Sequence, residues 1–308
     1  MSFTANDVKI LREATGAGMM DCKNALQETG GDIEKATLFL REKGLAAAAK
    51  KAGRIAAEGM VCATVCNDCS CGNGAIVEIN SETDFAAKAD KFVEFVNAVA
   101  DVIAKECPKD LAALEALPYP DSGMTVAEML SENVQVIGEN LKIRRFVCNC
   151  GNGVNVAYNH MGGRIGVLIN LSVSDNLKGN DAVVELGRNV AMQTAAMNPL
   201  WLRSQDADPA VVENEKNIIM TQIVEEGKPQ HVAEKIVEGR IQKYFSEVCL
   251  LNQLYVKGDK ITVQQYIDET AKTLGGEIVL NSFVRYEKGE GLEKKEDNFA
   301  DEVSKMVQ

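Results

Sequence analysis

Residues 74–88 read GAIVEINSETDFAAK and decide how the central part of the chain is expected to fold. The opening apolar run is typical of a buried strand, and residues 89–105, ADKFVEFVNAVADVIAK, have the apolar spacing of a helix. Asp84 and Phe85 stand at the junction. An Asp here is most often the N-cap of the following helix, which we expect to begin near Ala86. Phe85 either packs beneath its own helix or projects as an aromatic anchor for a partner.

A later stretch, RIGVLIN (164–170), is similar to GAIVEIN (74–80). Each ends in Ile-Asn, follows a Gly-containing turn and precedes a helix. Either the core has two related halves or two short apolar runs coincide by chance. We predict an α+β fold with antiparallel sheets, in which residues 54–145 form one half of the core. Residues 146–204 and 249–288 form the other half.

The first part of the chain, residues 1–53, is predicted to be a three-helix bundle that resembles a ubiquitin-associated domain. Thr4 and Asp7 have the spacing of a capping box. An Ala-rich stretch, residues 45–59, favours a helical linker. The three helices are expected to end at glycines, namely Gly16, Gly30–Gly31 and Gly44.

Residues 205–248 differ from the core pattern around them. Asp208 followed by Pro209 is typical of a helix start. Two narrow apolar stripes follow, Val212, Ile219 and Ile223 and then Val237, Ile241, Tyr244 and Val248. These stripes predict an inserted antiparallel helical hairpin, or coiled coil. Residues 289–308 are predicted to form a C-terminal helix with an apolar stripe of Phe299, Val303 and Met306.

The composition of the 308 residues favours a soluble protein with a protein partner. Its net charge of −12 argues against broad binding to nucleic acid. The sequence has neither an apolar run long enough to cross a membrane nor the pattern of a secretory signal, so we expect a cytoplasmic protein. A phosphate-binding loop of the form G-x-x-x-x-G-K-[ST] is absent, and we expect no cofactor.

Nine cysteines raise the question of a metal site. Two groups are dense, Cys62, Cys66, Cys69 and Cys71 and then Cys148 and Cys150. Four thiolates can close a tetrahedral zinc site, but only Cys66 and Cys69 have C-x-x-C spacing, and structural sites use two such pairs. We therefore expect free thiols and no metal.

The two histidines lie outside any readable catalytic triad. His231 is interpreted as a surface residue of the helical hairpin. His160, in the Gly-flanked stretch YNHMGGRIG, is either solvated or functional.

Three stretches together resemble the elongation factor Ts family. TGAGMMDCKNAL (15–26) and EINSETDFAAK (78–88) are similar to its two signatures, and HMGGRIGVL (160–168) is similar to a loop and strand of its second core half. The order of elements is similar along the whole chain. The resemblance implies guanine-nucleotide exchange on the GTPase elongation factor Tu. It implies an exchange factor rather than an enzyme.

The resemblance also implies the role of the opening stretch. In the family, the Asp and Phe of a T-D-F motif enter the GTPase beside its switch region and displace Mg²⁺. The corresponding residues here are Thr83, Asp84 and Phe85, followed by Ala86 where the family usually has Val. We call residues 83–86 the junction segment.

Further partner contacts are implied where residues match the family. Arg12, Met19 and Met20 resemble the N-terminal face that meets the GTPase domain, and His160 resembles a histidine that faces the partner's third domain. The remaining matches are Ile137, Gly138, Val256 and Phe299. Lys257 stands where the family commonly has an apolar residue.

Two other functions stay open at this point. A metal-binding or thiol-redox protein would use the cysteine groups, and a ubiquitin-binding scaffold would use the N-terminal bundle; fold alone does not decide between functions. The oligomeric state is equally open between a monomer, a homodimer and a 2:2 complex with elongation factor Tu.

Overall fold

A computed structural model describes residues 3–66, 72–151, 153–226, 230–258 and 260–293. Within these ranges the chain forms eleven α-helices and two three-stranded antiparallel sheets. The predicted α+β class with antiparallel sheets is confirmed. Most of the predicted C-terminal helix, residues 289–308, lies beyond residue 293 and so outside the described residues. Phe299 is among the residues not described. No helix in the described ranges is long and apolar enough to cross a membrane.

The N-terminal bundle consists of α1 (Ala5–Thr15), α2 (Met19–Glu28) and α3 (Ile33–Lys51). Its core contains Leu11, Leu26 and Leu40. The capping box is confirmed, because the Asp7 carboxylate accepts a hydrogen bond of 2.7 Å from the Thr4 amide and the Thr4 hydroxyl accepts one from the Asp7 amide.

The predicted end of the third helix at Gly44 is wrong, since α3 continues to Lys51. The alanines after Gly44 favour helix strongly enough to continue it. A Cβ built on Gly44 would lie 2.6 Å from the terminal Oε1 atom of Gln135, a flexible side chain that can move aside.

The first half of the core contains β1 (Glu58–Val65), β2 (Gly74–Ser81), α4 (Asp84–Ala87), α5 (Asp90–Glu106), α6 (Leu111–Glu115), α7 (Val126–Ile137) and β3 (Lys142–Asn149). Its sheet has the order β1-β2-β3. The strand β3 spans the predicted border between residues 145 and 146. The single helix predicted from about residue 86 is two helices, because the chain is extended at Ala89 between α4 and α5.

The second half contains β4 (Val154–His160), β5 (Ile165–Val173), α8 (Asp181–Met197), the hairpin helices α9 (Pro209–Glu225) and α10 (Gln230–Val248), α11 (Val263–Leu274) and β6 (Ile278–Glu287). Its sheet has the order β4-β5-β6. In both halves a β-hairpin is followed by helices and then by a third strand that pairs with the second. The similar runs 74–80 and 164–170 therefore lie on the two central strands, β2 and β5.

The helices α9 and α10 pack against each other through a small apolar core that includes Ile219, Ile223 and Ile241. Asp208 caps α9 as predicted, accepting a hydrogen bond of 2.8 Å from the amide of Ala210. The chain leaves and re-enters the core at adjacent points. The amides of Leu200 and Trp201 both donate to the Val248 carbonyl, at 2.8 and 3.2 Å, respectively.

The two sheets pack face to face through a cluster of buried residues, Val61, Ala63, Ile76 and Leu168. The side chain of Asn159 adds a polar connection between the sheets. Its amide nitrogen donates to the Ala63 carbonyl and its oxygen accepts from the Ala63 amide, both at 2.8 Å.

Glu78, on the central strand β2, has no solvent exposure. Arg144 and Arg145 of β3 donate to its carboxylate at 3.0 and 2.6 Å, and the amide of Gly289, just after β6, donates at 2.8 Å. Burial acts to raise the pKa of Glu78, but hydrogen bonds from Gly289, Asn80 and Arg145 outweigh it and lower the pKa below its ordinary value of 4.5. The ionised carboxylate thus joins the first sheet to the end of the second.

We predict that Glu78→Gln destabilises the protein at pH 7 by about 3 kcal/mol, the lower end of the range for breaking a buried pair, because both guanidinium groups partly reach solvent. A depressed pKa contributes stability above the unfolded-state value, and this contribution is lost as the pH falls through the folded-state pKa. Urea unfolding between pH 7 and pH 3 should therefore show the gap between wild type and variant closing in acid.

The matched control is Glu290→Gln, which removes a partly exposed carboxylate 3.2 Å from the same Arg145. An exposed pair contributes about 0–1 kcal/mol. Equal destabilisation by the two substitutions would contradict the central role of Glu78.

Candidate functional site

The junction segment begins with a helix cap. Thr83 is the N-cap of α4, and its hydroxyl accepts a hydrogen bond of 3.2 Å from the Ala86 amide. The prediction that Asp84 is the N-cap is therefore wrong. Asp84 is the first residue of α4, and its carboxylate accepts a hydrogen bond of 2.6 Å from Lys88. This hydrogen bond is the main cause that lowers the pKa of Asp84, so the group is an anion at neutral pH.

Phe85 and its neighbour Ala86 differ sharply in exposure. The Phe85 side chain is 82% exposed, which excludes packing beneath its own helix. Ala86 is 6% exposed, and the helix α4 that carries it contacts strands β1 and β2. The departure from the family's Val at this position therefore changes packing inside this chain, while the exposed aromatic ring is retained.

A second segment holds the junction segment in place. The Glu139 carboxylate accepts hydrogen bonds from the Thr83 amide at 3.0 Å and the Thr83 hydroxyl at 2.6 Å. On the preceding residue, the Glu82 carboxylate accepts a bond of 2.7 Å from the Asn140 amide. Sequence reasoning did not identify Glu139, because nothing in the sequence links it to a position 56 residues away.

The residues at the end of α7 share a surface with Phe85. Gly138 is the C-cap of α7 with a φ of 86°, a left-handed conformation that favours glycine, and it turns the chain so that Glu139 reaches Thr83. A shallow groove is lined by Phe85, Ile137 and Glu139. The structure thus brings together two sets of predicted contacts that are about fifty residues apart in the sequence.

The N-terminal bundle has its own exposed apolar face. Met19 and Met20, at the start of α2, are 60% and 63% exposed. They line a groove together with Phe3, Val8 and the predicted contact Arg12. The three predicted residues of this domain therefore lie on one surface with an apolar floor and a basic edge.

The other predicted contacts lie in the second half of the core. His160 is the last residue of β4, and its Nδ1 atom is 2.9 Å from the hydroxyl of Tyr158. Val256 is exposed in the loop before α11, and its amide donates to the Gln193 side chain at 3.0 Å. The ammonium group of Lys257 donates to Asn189 at 3.0 Å.

Three cysteines converge at one end of the first sheet. The Cys107 sulfur is in contact with the sulfurs of both Cys148 and Cys150, which are 3.3 Å from each other. Cys62 lies apart, donating to the Asn97 side chain at 3.3 Å. Cys69 and Cys71 lie outside the described residues, as does the side chain of His231.

Sequence reasoning missed Cys107. A signal for its two partners was present, because the pattern C-x-C-G-N-G occurs twice, at 69–74 and at 148–153. No spacing rule linked this pattern to Cys107, which is 41 residues before Cys148.

We predict that Glu139→Ala loosens the junction segment and lowers the melting temperature by only a few degrees. Thr83 loses a carboxylate acceptor at the surface, which should cost about 1 kcal/mol and speed exchange of the Ala86 and Ala87 amides about fivefold. Hydrogen exchange followed by NMR measures this change. Asp84→Asn is the control, since Asp84 bonds Lys88 and not Thr83; equal acceleration in both variants would contradict the assigned role of Glu139.

Comparison with known proteins agrees with the motifs quoted above. Residues 82–290 match the family model described as Elongation factor TS. The chain is 50% identical to elongation factor Ts of Syntrophotalea carbinolica, with all of both chains covered. It is 48% identical to that of Clostridium novyi strain NT, over 99% of this chain and 98% of the relative. The chain therefore belongs to the elongation factor Ts family of translation elongation factors.

Proposed function

We propose that this protein binds elongation factor Tu in its GDP-bound form and promotes release of GDP and its exchange for GTP. The observation that carries the proposal is the 82% exposure of Phe85 on a junction that is otherwise fixed by hydrogen bonds. An exposed, well-supported aromatic side chain is the residue type that most often dominates a protein interface. Family membership supplies the partner.

The physical requirement for exchange is a coupling between two binding events. If the exchange factor weakens nucleotide binding to the GTPase, the nucleotide weakens binding of the factor by the same ratio. Each tenfold of this ratio corresponds to about 1.4 kcal/mol. In this proposal the coupling energy comes from contacts that the junction segment makes only when the GTPase no longer coordinates Mg²⁺.

Asp84 and Phe85 have complementary parts in this proposal. Mg²⁺ demands near-ideal octahedral geometry with oxygen ligands, so a small displacement of those ligands weakens it. Phe85 supplies the apolar bulk that displaces the switch region. Asp84 supplies a negative charge beside the Mg²⁺ site, and Lys88 is the group that releases it on docking.

Preorganisation of the junction segment lowers the entropic cost of docking. Thr83 is hydrogen-bonded to Glu139 before any partner arrives, and Ser81 donates a further bond of 2.9 Å to the Thr83 carbonyl. Ordering a flexible loop on binding costs free energy, and a segment that is already rigid avoids this cost.

The remaining contacts extend the proposed interface. The groove of Arg12, Met19 and Met20 meets the GTPase domain, as does the Phe299 region. Ile137 and Gly138 support Phe85 from the side, and His160 and Val256 contact the partner elsewhere. The protein acts without a cofactor and without chemistry on a covalent bond, so the isolated chain should show no GTP turnover above buffer.

We predict that Phe85→Ala slows GDP release from elongation factor Tu about thirtyfold, since truncation of an interface anchor costs about 2 kcal/mol. Its melting temperature should stay close to that of wild type because the ring is exposed. The measurements are release of labelled GDP at a fixed concentration of exchange factor and a thermal melt of each variant.

Two controls separate this outcome from general damage. Leu200→Ala removes another exposed apolar side chain and should leave exchange unchanged. Phe92→Ala removes a ring with no exposure and should cost about 3–5 kcal/mol of stability. A Phe85→Ala protein with normal exchange would show that the proposed mechanism is wrong.

We predict that the double variant Met19→Ala, Met20→Ala in the full chain binds elongation factor Tu more weakly by at least about 1 kcal/mol. Calorimetric titration against nucleotide-free elongation factor Tu measures this effect. Leu38→Ala, an exposed apolar residue of the same bundle outside the groove, is the matched control. Unchanged affinity in the double variant would remove the N-terminal groove from the interface.

A further inference from the structure

The convergence of Cys107, Cys148 and Cys150 is unrelated to the proposed interface. Their three sulfurs lie within 4.8 Å of one another, and among the described residues this is the one group of three or more His, Cys, Asp or Glu with ligand atoms so close. The three ligand atoms come from two separate chain segments. A group of this kind needs a physical explanation beyond packing.

The backbone holds Cys107 in an unusual conformation. Cys107 is the C-cap of α5 with a φ of 46°, in the left-handed region where a side chain is disfavoured and glycine is preferred. A residue with a side chain therefore occupies this position at an energetic cost. Strain of this kind is a reason to look for a role of the side chain, and here the side chain delivers its sulfur to the other two.

In a disulfide, Cys107 would pair with only one of the two sulfurs that it contacts and leave the other as a thiol. In the reduced protein all three sulfurs are available as ligands. Cys148 also donates to the Ile103 carbonyl at 3.4 Å, at the C-terminal end of α5. The partial negative charge at a helix C-terminus disfavours bare thiolates and favours a cation.

Against the expectation from the sequence that the cysteines hold no metal, we propose that Cys107, Cys148 and Cys150 bind one Zn²⁺ ion as three thiolates. On binding, the three S–H groups release their protons to solvent and three Zn–S bonds form. Thiolates at the usual Zn–S distance of about 2.3 Å lie about 3.8 Å apart in a tetrahedral site. The Cys107 sulfur, which touches both partners, therefore has to move away from them to admit the ion. Lys109 lines a groove together with the three cysteines, and its charge offsets the net negative charge of three thiolates around a divalent cation.

The site is remote from Phe85. The junction segment precedes the N-terminus of α5 and Cys107 follows its C-terminus, and a helix of 17 residues is about 25 Å long. The zinc ion is therefore expected to stabilise the end of the first sheet without taking part in nucleotide exchange.

The test begins with the full chain purified with a phosphine reductant, stripped with a chelator and titrated with Zn²⁺. One equivalent of zinc per chain is expected. Titration with Co²⁺ as an optical probe should give near-ultraviolet absorption from sulfur-to-cobalt charge transfer. Less than about a tenth of an equivalent of zinc, with no such absorption, would overturn the proposal.

Variants assign the metal to these sulfurs. Cys150→Ser changes an exposed residue and should fold normally, yet weaken zinc binding by tenfold or more, since even an outer partner of a metal ligand is worth about 10–100-fold in affinity. Cys62→Ser is the control, because this thiol is buried on β1 with a pKa raised by burial to about 12 and has a separate hydrogen bond. The control should bind zinc as wild type does. Equal affinity of Cys150→Ser and wild type would overturn the site.

Discussion

The fold depends on burying one carboxylate, Glu78, and on supplying it with enough donors to stay ionised. A buried charge without partners is far too costly, so the two arginines of β3 and the amide of Gly289 must be in place together. This requirement brings the chain after β6 onto the first sheet and fixes the two halves relative to each other. It also fixes β2, and the junction segment leaves β2 directly at its C-terminal end. The position of Phe85, shortly after the end of β2, is therefore set by the electrostatic interactions of Glu78 on that strand.

Stability and recognition are assigned to adjacent residues along this junction. Ala86 is buried, and Thr83, although exposed, caps the helix and donates to Glu139. Phe85 is largely exposed and Asp84 is partly exposed. Because the supporting and the recognition residues are different, Asp84 and Phe85 can change with little effect on the fold. Glu139 adds a support from a different element, so the geometry of the exposed ring does not rest on one short helix alone.

Much of this architecture could be predicted from the sequence because it depends on local spacing. The apolar positions of α5 and the capping box of α1 are examples, as is the Asp-Pro start of α9. The N-cap at the junction was assigned to Asp84 because Thr and Asp are both good caps, and only the backbone decides between neighbours. The end of α3 was missed because a glycine usually marks a helix end, whereas here the alanines after Gly44 continue the helix. The roles of Glu139 and Cys107 could not be predicted from the sequence, because each contacts residues that are distant in the sequence and become neighbours only on folding.

The adjacent exit and return points of the helical hairpin have a consequence for how this chain can vary. Because Leu200 and Trp201 are hydrogen-bonded to Val248, the two ends of the hairpin join the core at adjacent positions. Its apolar core is self-contained. Lengthening or shortening α9 and α10 by whole turns would leave the core's hydrogen bonds intact, and a short loop could replace the whole hairpin. Natural or engineered chains with this core are thus free to carry hairpins of very different length.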